Sequence, residues 1–92
     1  APLQEPTAES LIALSQKLEG RLRLYRSQIG DLPADMLVYQ FELQDLIVQV
    51  DGELSLNPES DDLWGQRVNL MMYVVRLYED SLRRDYQRMA SL

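Results

Sequence analysis

The chain has 92 residues and a formal net charge of −6, with 46% hydrophobic and 26% charged residues and neither cysteine nor histidine. This length and composition describe one small globular domain and exclude a disordered chain. The acidic balance argues against direct nucleic-acid binding, because it repels phosphate. The two missing residue types exclude disulfides, thiolate chemistry and the usual zinc ligands.

Residues 1–6 contain two prolines and no periodicity, so they are predicted to be a linker. Residues 7–92 are predicted to form a single helical domain, with helices at about 8–29, 33–56 and 61–90. Thr7 is the expected N-cap of the first helix, and Gly30 is expected to end it. A stripe at spacings of three and four is predicted to be buried: Leu11, Leu14, Leu18, Leu22, Tyr25 and Ile29.

The second helix is expected to begin after Asp31, with Pro33 in its first turn, and to end at Asn57-Pro58. Its β-branched residues raise the alternative of a strand, but apolar and polar residues do not alternate, which favours a helix. Its predicted buried stripe is Met36, Tyr39, Leu43, Leu46 or Ile47, Val50 and Leu54.

Ser60 or Asp61 is the expected N-cap of the third helix. A stripe about seven turns long is predicted to be its buried side: Trp64, Val68, Met71, Val75, Tyr78, Leu82, Tyr86 and Met89. Both connections are only a few residues long, which makes neighbouring helices antiparallel. The predicted fold is therefore all-α, an antiparallel up-down-up three-helix bundle with long helices.

The second and third helices are matched as the two arms of a hairpin. When they are folded about Asn57-Pro58, residues whose numbers sum to about 118 face each other. This rule pairs Asp51 with Arg67, Leu54 with Trp64, Val50 with Val68, Ile47 with Met71 and Leu43 with Val75. Apolar residues meet apolar residues and the acid meets the base, so these residues are predicted to fix the register of the hairpin.

The sequence carries no recognisable catalytic group. The clustered carboxylates lack the histidine that a carboxylate-based metal site usually recruits, the serines lack a histidine to activate them, and there is no glycine-rich phosphate loop. Asp45, Asp51, Glu53, Asp61 and Asp62 are better explained by solvated helix positions and one cross-helix ion pair. We therefore expect a non-enzyme that uses no metal and no cofactor.

The third helix has a wider apolar arc than one neighbour needs. Leu70, Met72 and Tyr73 could contact a second neighbouring helix within the bundle or form a dimer interface, and the sequence leaves both open. Tyr86 and Met89 lie past the residues that the second helix can cover, which favours a homodimer. Arg83 and Arg84, near the end of the helix, are further candidates for contact with a protein partner, although complementing the helix dipole explains them better.

The pattern Leu43-x-Asp45-x-Ile47-x-x-Val50-Asp51-x-x-Leu54, followed by Leu63-Trp64-x-x-Arg67-Val68-x-Leu70-Met71-x-x-Val74-Val75, resembles a module of proteobacterial single-span membrane proteins. These proteins are classed as anti-sigma factors of extracytoplasmic-function sigma factors. In them a helix similar to residues 14–22 precedes the hairpin. The chain departs from the family in having Tyr78 where an arginine is expected, and in lacking the histidine and cysteine of the sigma-binding segment.

The resemblance implies a non-catalytic sensory or assembly domain on the periplasmic side of the inner membrane. It would be attached to the membrane only through a segment outside this chain, and it would contact a protein partner, a second copy, or both. The alternative is a free-standing acidic helical adaptor, or chaperone-like protein, that binds a partner helix.

Overall fold

The computed structural model describes residues 6–91, which form three α-helices: α1 (Ala8–Ile29), α2 (Ala34–Leu56) and α3 (Asp61–Ala90). This part of the chain contains no β-strand, so the all-α prediction is confirmed. Residues 1–5 of the predicted linker, and Leu92, lie outside the described residues. Between residues 6 and 91, no helix is long and apolar enough to cross a membrane.

Both ends of α1 are fixed by the residues that the sequence singled out. The Thr7 hydroxyl accepts a hydrogen bond from the Ser10 backbone N–H at 3.2 Å, and the Ser10 hydroxyl accepts one from the Thr7 N–H at 3.1 Å. This reciprocal pair satisfies two backbone donors at the start of the helix. At the other end Gly30 has a φ of 76°, a conformation that disfavours side chains, and its N–H donates to the Arg26 carbonyl at 3.0 Å.

Helix α2 begins one residue later than expected, because Pro33 is extended, with a ψ of 152°, and takes the N-cap position. The helix ends where the Asn57 N–H donates to the Glu53 carbonyl at 3.0 Å, directly before Pro58. Of the two proposed N-caps of α3, Ser60 is the one observed, since its hydroxyl accepts from the Leu63 N–H at 3.2 Å.

Helix α3 is central and packs against both α1 and α2. Contacting residues of α1 and α3, such as Arg26 and Tyr78, are 52 positions apart in sequence, so these two helices run parallel. Contacting residues of α2 and α3, such as Gln40 with Tyr78 and Asp51 with Arg67, follow the predicted sum of about 118, so α2 is antiparallel to α3. The molecule is flattened, with extents of 50 × 34 × 19 Å.

One hydrophobic core joins the three helices along α3, where Val74 has an exposed fraction of 0%. Leu32, in the short connection between α1 and α2, also packs into this core, although the sequence analysis did not select it. The buried hydrophobic residues are Leu18, Leu22, Leu32, Met36, Ile47, Val50, Leu54, Val68, Met71, Val74, Val75 and Tyr78.

The predicted buried stripes are wrong at Leu14 and Tyr39, which are both exposed. On α1 the inward position in that turn belongs to Ser15, and on α2 it belongs to Gln40, which donates to the Tyr78 hydroxyl. Between the two alternatives left open on α2, Ile47 is buried and Leu46 is exposed.

The buried stripe of α3 was predicted to continue to Met89, and this is wrong from Leu82 onward. Tyr86 and Met89 are exposed because α3 extends beyond both of its neighbours, whereas Leu82 is exposed because Ser81, at 2% exposed, holds the inward position in that turn. By the observed registers, the positions facing Tyr86 would be about residue 34 on α1 and about residue 32 on α2, beyond the ends of both helices.

Candidate functional site: an arginine clasp across three helices

The most connected polar side chain of the described residues is that of Arg67, in the first half of α3. Its Nε atom donates to Asp51 Oδ1 on α2 at 2.7 Å, and its terminal nitrogen lies 2.9 Å from Glu19 Oε1 on α1. The same nitrogen also donates to the Ser15 hydroxyl on α1. These four residues, named the Arg67 clasp here, join all three helices at one point.

The Arg67 clasp is enclosed on the arginine side and open on the carboxylate side. The side chain of Arg67 is 14% exposed, whereas those of Glu19 and Asp51 are 36% and 45% exposed. Burial by itself lowers the pKa of Arg67, but the hydrogen bond and charge of Asp51, followed by those of Glu19, raise it above its ordinary value. Arg67 therefore stays charged at every pH at which the protein is folded. Its forked guanidinium can donate to acceptors on α1 and on α2 at the same time.

The ion pair predicted between Asp51 and Arg67 is present, and the structure adds two partners that the hairpin rule does not contain. Ser15 and Glu19 lie on α1, which is parallel to α3, so a rule for antiparallel arms cannot register them. Ser15 is also almost completely buried, at 2% exposed. A buried serine at the inward position of an apolar stripe is the one signal in the sequence that could have indicated a polar partner there.

A second bridge repeats this arrangement three turns further along α3. The Tyr78 hydroxyl accepts hydrogen bonds from Arg26 Nε on α1 at 3.4 Å and from Gln40 Nε2 on α2 at 3.1 Å. The Tyr78 ring stacks on Tyr25, with ring centroids 6.3 Å apart. Tyr78 thus also contacts both neighbouring helices.

The other predicted hairpin residues lie close to the Arg67 clasp. Ile47 and Met71 are buried beneath the groove that separates α1 from α2. Leu54 is buried and lines the same concave surface as Trp64. Trp64 is only half-buried, and its Nε1 atom donates to the Pro58 carbonyl at 2.8 Å, so its ring closes the α2–α3 connection.

The residues suggested for partner contact do not form one surface. Leu70 is half-buried against the core, whereas Met72 and Tyr73 are exposed on the side of α3 away from the Arg67 clasp. Tyr86 and Met89 are exposed on the free end of α3.

The two arginines suggested for partner contact already have acidic partners within the chain. Arg83 lies 3.6 Å from Asp80 on the same helix, and Arg84 lies 3.0 Å from Asp35 at the start of α2. The Arg84 contact lowers the pKa of Asp35, first through its hydrogen bond to that carboxylate. These arginines therefore do not form an uncompensated basic patch.

The geometry of the clasp suits holding helices in register. A guanidinium stays protonated near neutral pH and so cannot act as a general acid or base, and both carboxylates are paired with it. In the described part of the chain, no group of three acidic side chains could hold a metal ion. Comparison of the chain with known protein families, curated proteins and solved structures gives no match.

Proposed function

We propose that this chain is a non-catalytic regulatory domain of the anti-sigma type. In this proposal a signal changes whether α1 contacts the α2–α3 hairpin, and a partner binds the two arrangements with different affinities. The single observation that carries the proposal is the Arg67 clasp. Asp51 and Arg67 belong to the hairpin pattern that resembles the anti-sigma module, and Ser15 and Glu19 belong to the helix that precedes the hairpin in that module. Residues from both parts of the resemblance meet at one arginine.

In this proposal the element that moves is α1, because α2 is tied to α3 by the short connection at Asn57-Pro58 as well as by packing. Helix α1 is joined to the rest of the domain mainly along α3, through Ser15, Glu19 and Tyr25. The hairpin has its own ion pair, between Asp51 and Arg67, and would keep it if α1 were displaced. A partner that bound the hairpin better without α1 than with it would shift the equilibrium between these two arrangements.

The test uses the full-length protein in its own host. Deletion of residues 7–92, and separately Arg67→Ala, is expected to change transcription from promoters of the cognate sigma factor in resting or envelope-stressed cells. Arg83→Ala is the matched control, because Arg83 is an exposed arginine on the same helix whose contact is with Asp80 on that helix. Unchanged transcription in both the deletion and the Arg67→Ala strain would overturn the regulatory role.

A second candidate function is a helical adaptor that holds a partner helix. The observation that favours it is a mostly apolar groove between α2 and α3, lined by Tyr39, Leu43, Leu46, Tyr73 and Leu77. The gene separates the two candidates: an apolar segment of about 20 codons upstream of residue 1 would supply the membrane helix that the regulator needs, whereas an adaptor needs none.

A further inference from the structure

One broad face of the flattened molecule is basic at one edge and acidic at the other. Its acidic side is the mostly apolar groove along the seam of α2 and α3, called the acidic groove here. The groove is bounded by Tyr39, Leu46, Leu70 and Tyr73 and by the acids Glu42, Glu53 and Asp80, and Arg76 is the basic residue among those that line it. Its basic side is the flank of α1 formed by Leu14, Lys17, Arg21 and Leu24, called the basic flank here, all four of which are exposed.

The helical period places the basic flank and the acidic groove on the same face. The opposite face of the molecule is the groove lined by Glu19 and Arg23 of α1 and by Val48 of α2. Lys17 and Arg21 are four residues apart and project from the other side of α1. Tyr39, Glu42 and Leu46 likewise lie on the side of α2 away from Val48.

The charges of this face are strongly divided between the two outer helices. On this face α2 carries Glu42 and Glu53, whereas α1 carries Lys17 and Arg21; Glu19, Arg23, Arg26 and Asp51 line the opposite groove. In the part of the chain that the structure describes, neither Lys17 nor Arg21 forms an ion pair, and neither do Glu42 and Glu53. Exposed leucine side chains accompany both sets of charges, and exposed tyrosine side chains accompany the acidic set.

From this division we infer that two copies of the chain associate face to face, with the basic flank of each copy in the acidic groove of the other. The twofold axis runs parallel to the helices. Such an axis exchanges the left and right edges of the face, so α1 lies over α2 of the second copy, and α3 lies near its own symmetry mate. A twofold axis perpendicular to the helices would instead place α1 over α1 and cation over cation.

The symmetry also fixes the register, because rotation about an axis parallel to the helices does not shift residues along them. By the observed contacts, Lys17 is level with Gln49 and Arg21 is level with Asp45. Lys17 therefore meets Glu53 of the second copy, about one turn away, and Arg21 meets Glu42. Tyr73 is level with Arg21 and lies toward the axis. The face measures 50 × 34 Å in outline, more than the roughly 800 Å² that each partner of a standard interface buries.

The test is a charge exchange followed by sedimentation. One variant carries Lys17→Glu and Arg21→Glu, and the other carries Glu42→Lys and Glu53→Lys. Each variant alone places like charges opposite each other in both contacts, and its dimerisation is expected to weaken by at least about tenfold. A mixture of the two variants places opposite charges in both contacts, so it is expected to form heterodimers with an affinity near that of the wild type.

Arg23→Glu is the control, because Arg23 is an exposed arginine on the opposite side of the same helix. It is expected to leave the dimer unchanged. All substituted positions are exposed, and far-UV circular dichroism verifies that each variant is folded. A wild-type protein that stays monomeric at high micromolar concentration would overturn the inference, as would a mixture that fails to restore the dimer, or an Arg23→Glu variant that weakens as much as the others. The inference does not depend on the signalling role, so either can fail alone.

Discussion

The Arg67 clasp allows a quantitative prediction about how its two carboxylates share one cation. Removing Asp51 alone leaves Arg67 with Glu19 and the Ser15 hydroxyl, so Asp51→Ala should lower the free energy of unfolding by only about 1 kcal/mol. Glu19→Ala should cost a similar amount for the same reason. Removing both leaves a guanidinium that is 14% exposed without a counter-charge, and the loss should rise to about 3 kcal/mol. The coupling energy of the pair is then about 1 kcal/mol.

Urea unfolding followed by far-UV circular dichroism, on the wild type, both single variants and the double variant, measures this cycle directly. Arg67→Met provides the internal check. It keeps an apolar stem and leaves two carboxylates that are each at least a third exposed and can be hydrated, and a Ser15 hydroxyl that can donate to a carbonyl of its own helix. It should therefore cost less than the double removal. Strictly additive single losses, or an Arg67→Met variant less stable than the double variant, would refute the argument that burial of the cation dominates.

Three further results are expected. The Arg84 contact lowers the pKa of Asp35, so the stability that this contact adds should be present above the unfolded pKa of about 3.9 and disappear as the pH falls through the folded pKa. Urea melts of Arg84→Gln should therefore converge with those of the wild type in acid. NMR titration of Asp35 should show a higher pKa in the variant. Trp64→Ala should cost about 2 kcal/mol in thermal melts, less than for a fully buried ring, because Trp64 is only half-buried. Val74→Ala should cost about 2 kcal/mol in urea melts, since it removes two methyl groups from a side chain with no exposed surface.

The hairpin was predictable because its information is local and repeated. The breaker Asn57-Pro58 fixes where the chain turns, and Ile47, Val50 and Leu54 of α2 then each have one apolar residue of α3 to meet. A single offset satisfied several pairs at once, so Asp51 and Arg67 could be paired without knowledge of any other helix. Caps are equally local, which is why Thr7 and Gly30 could be assigned to the ends of α1.

The placement of α1 was not predictable in the same way. The apolar stripe of α1 could pack into any apolar groove. The connection between α1 and α2 does not determine the position of α1 along the axis of α3. The interactions that set this position are polar: Ser15 and Glu19 meet Arg67, and Arg26 meets Tyr78. Such contacts depend on the relative positions of all three helices, whereas the periodicity of a sequence shows only which face of a single helix is buried.

At the free end of α3, apolar residues extend beyond the parts of α1 and α2 that could bury them. Deleting this end therefore tests where two copies of the chain are in contact. Ending the chain after Asp85 removes Tyr86 and Met89 but keeps the Arg84 contact with Asp35. The removed side chains are 73% and 65% exposed, so the free energy of unfolding should fall by less than about 1 kcal/mol. The dimer affinity measured by sedimentation should also stay unchanged, because the basic flank and the acidic groove lie outside the deleted segment. If the truncated chain were monomeric while Lys17→Glu with Arg21→Glu remained dimeric, the interface would instead be this end of α3, where an apolar stripe without an internal partner would be covered by its copy.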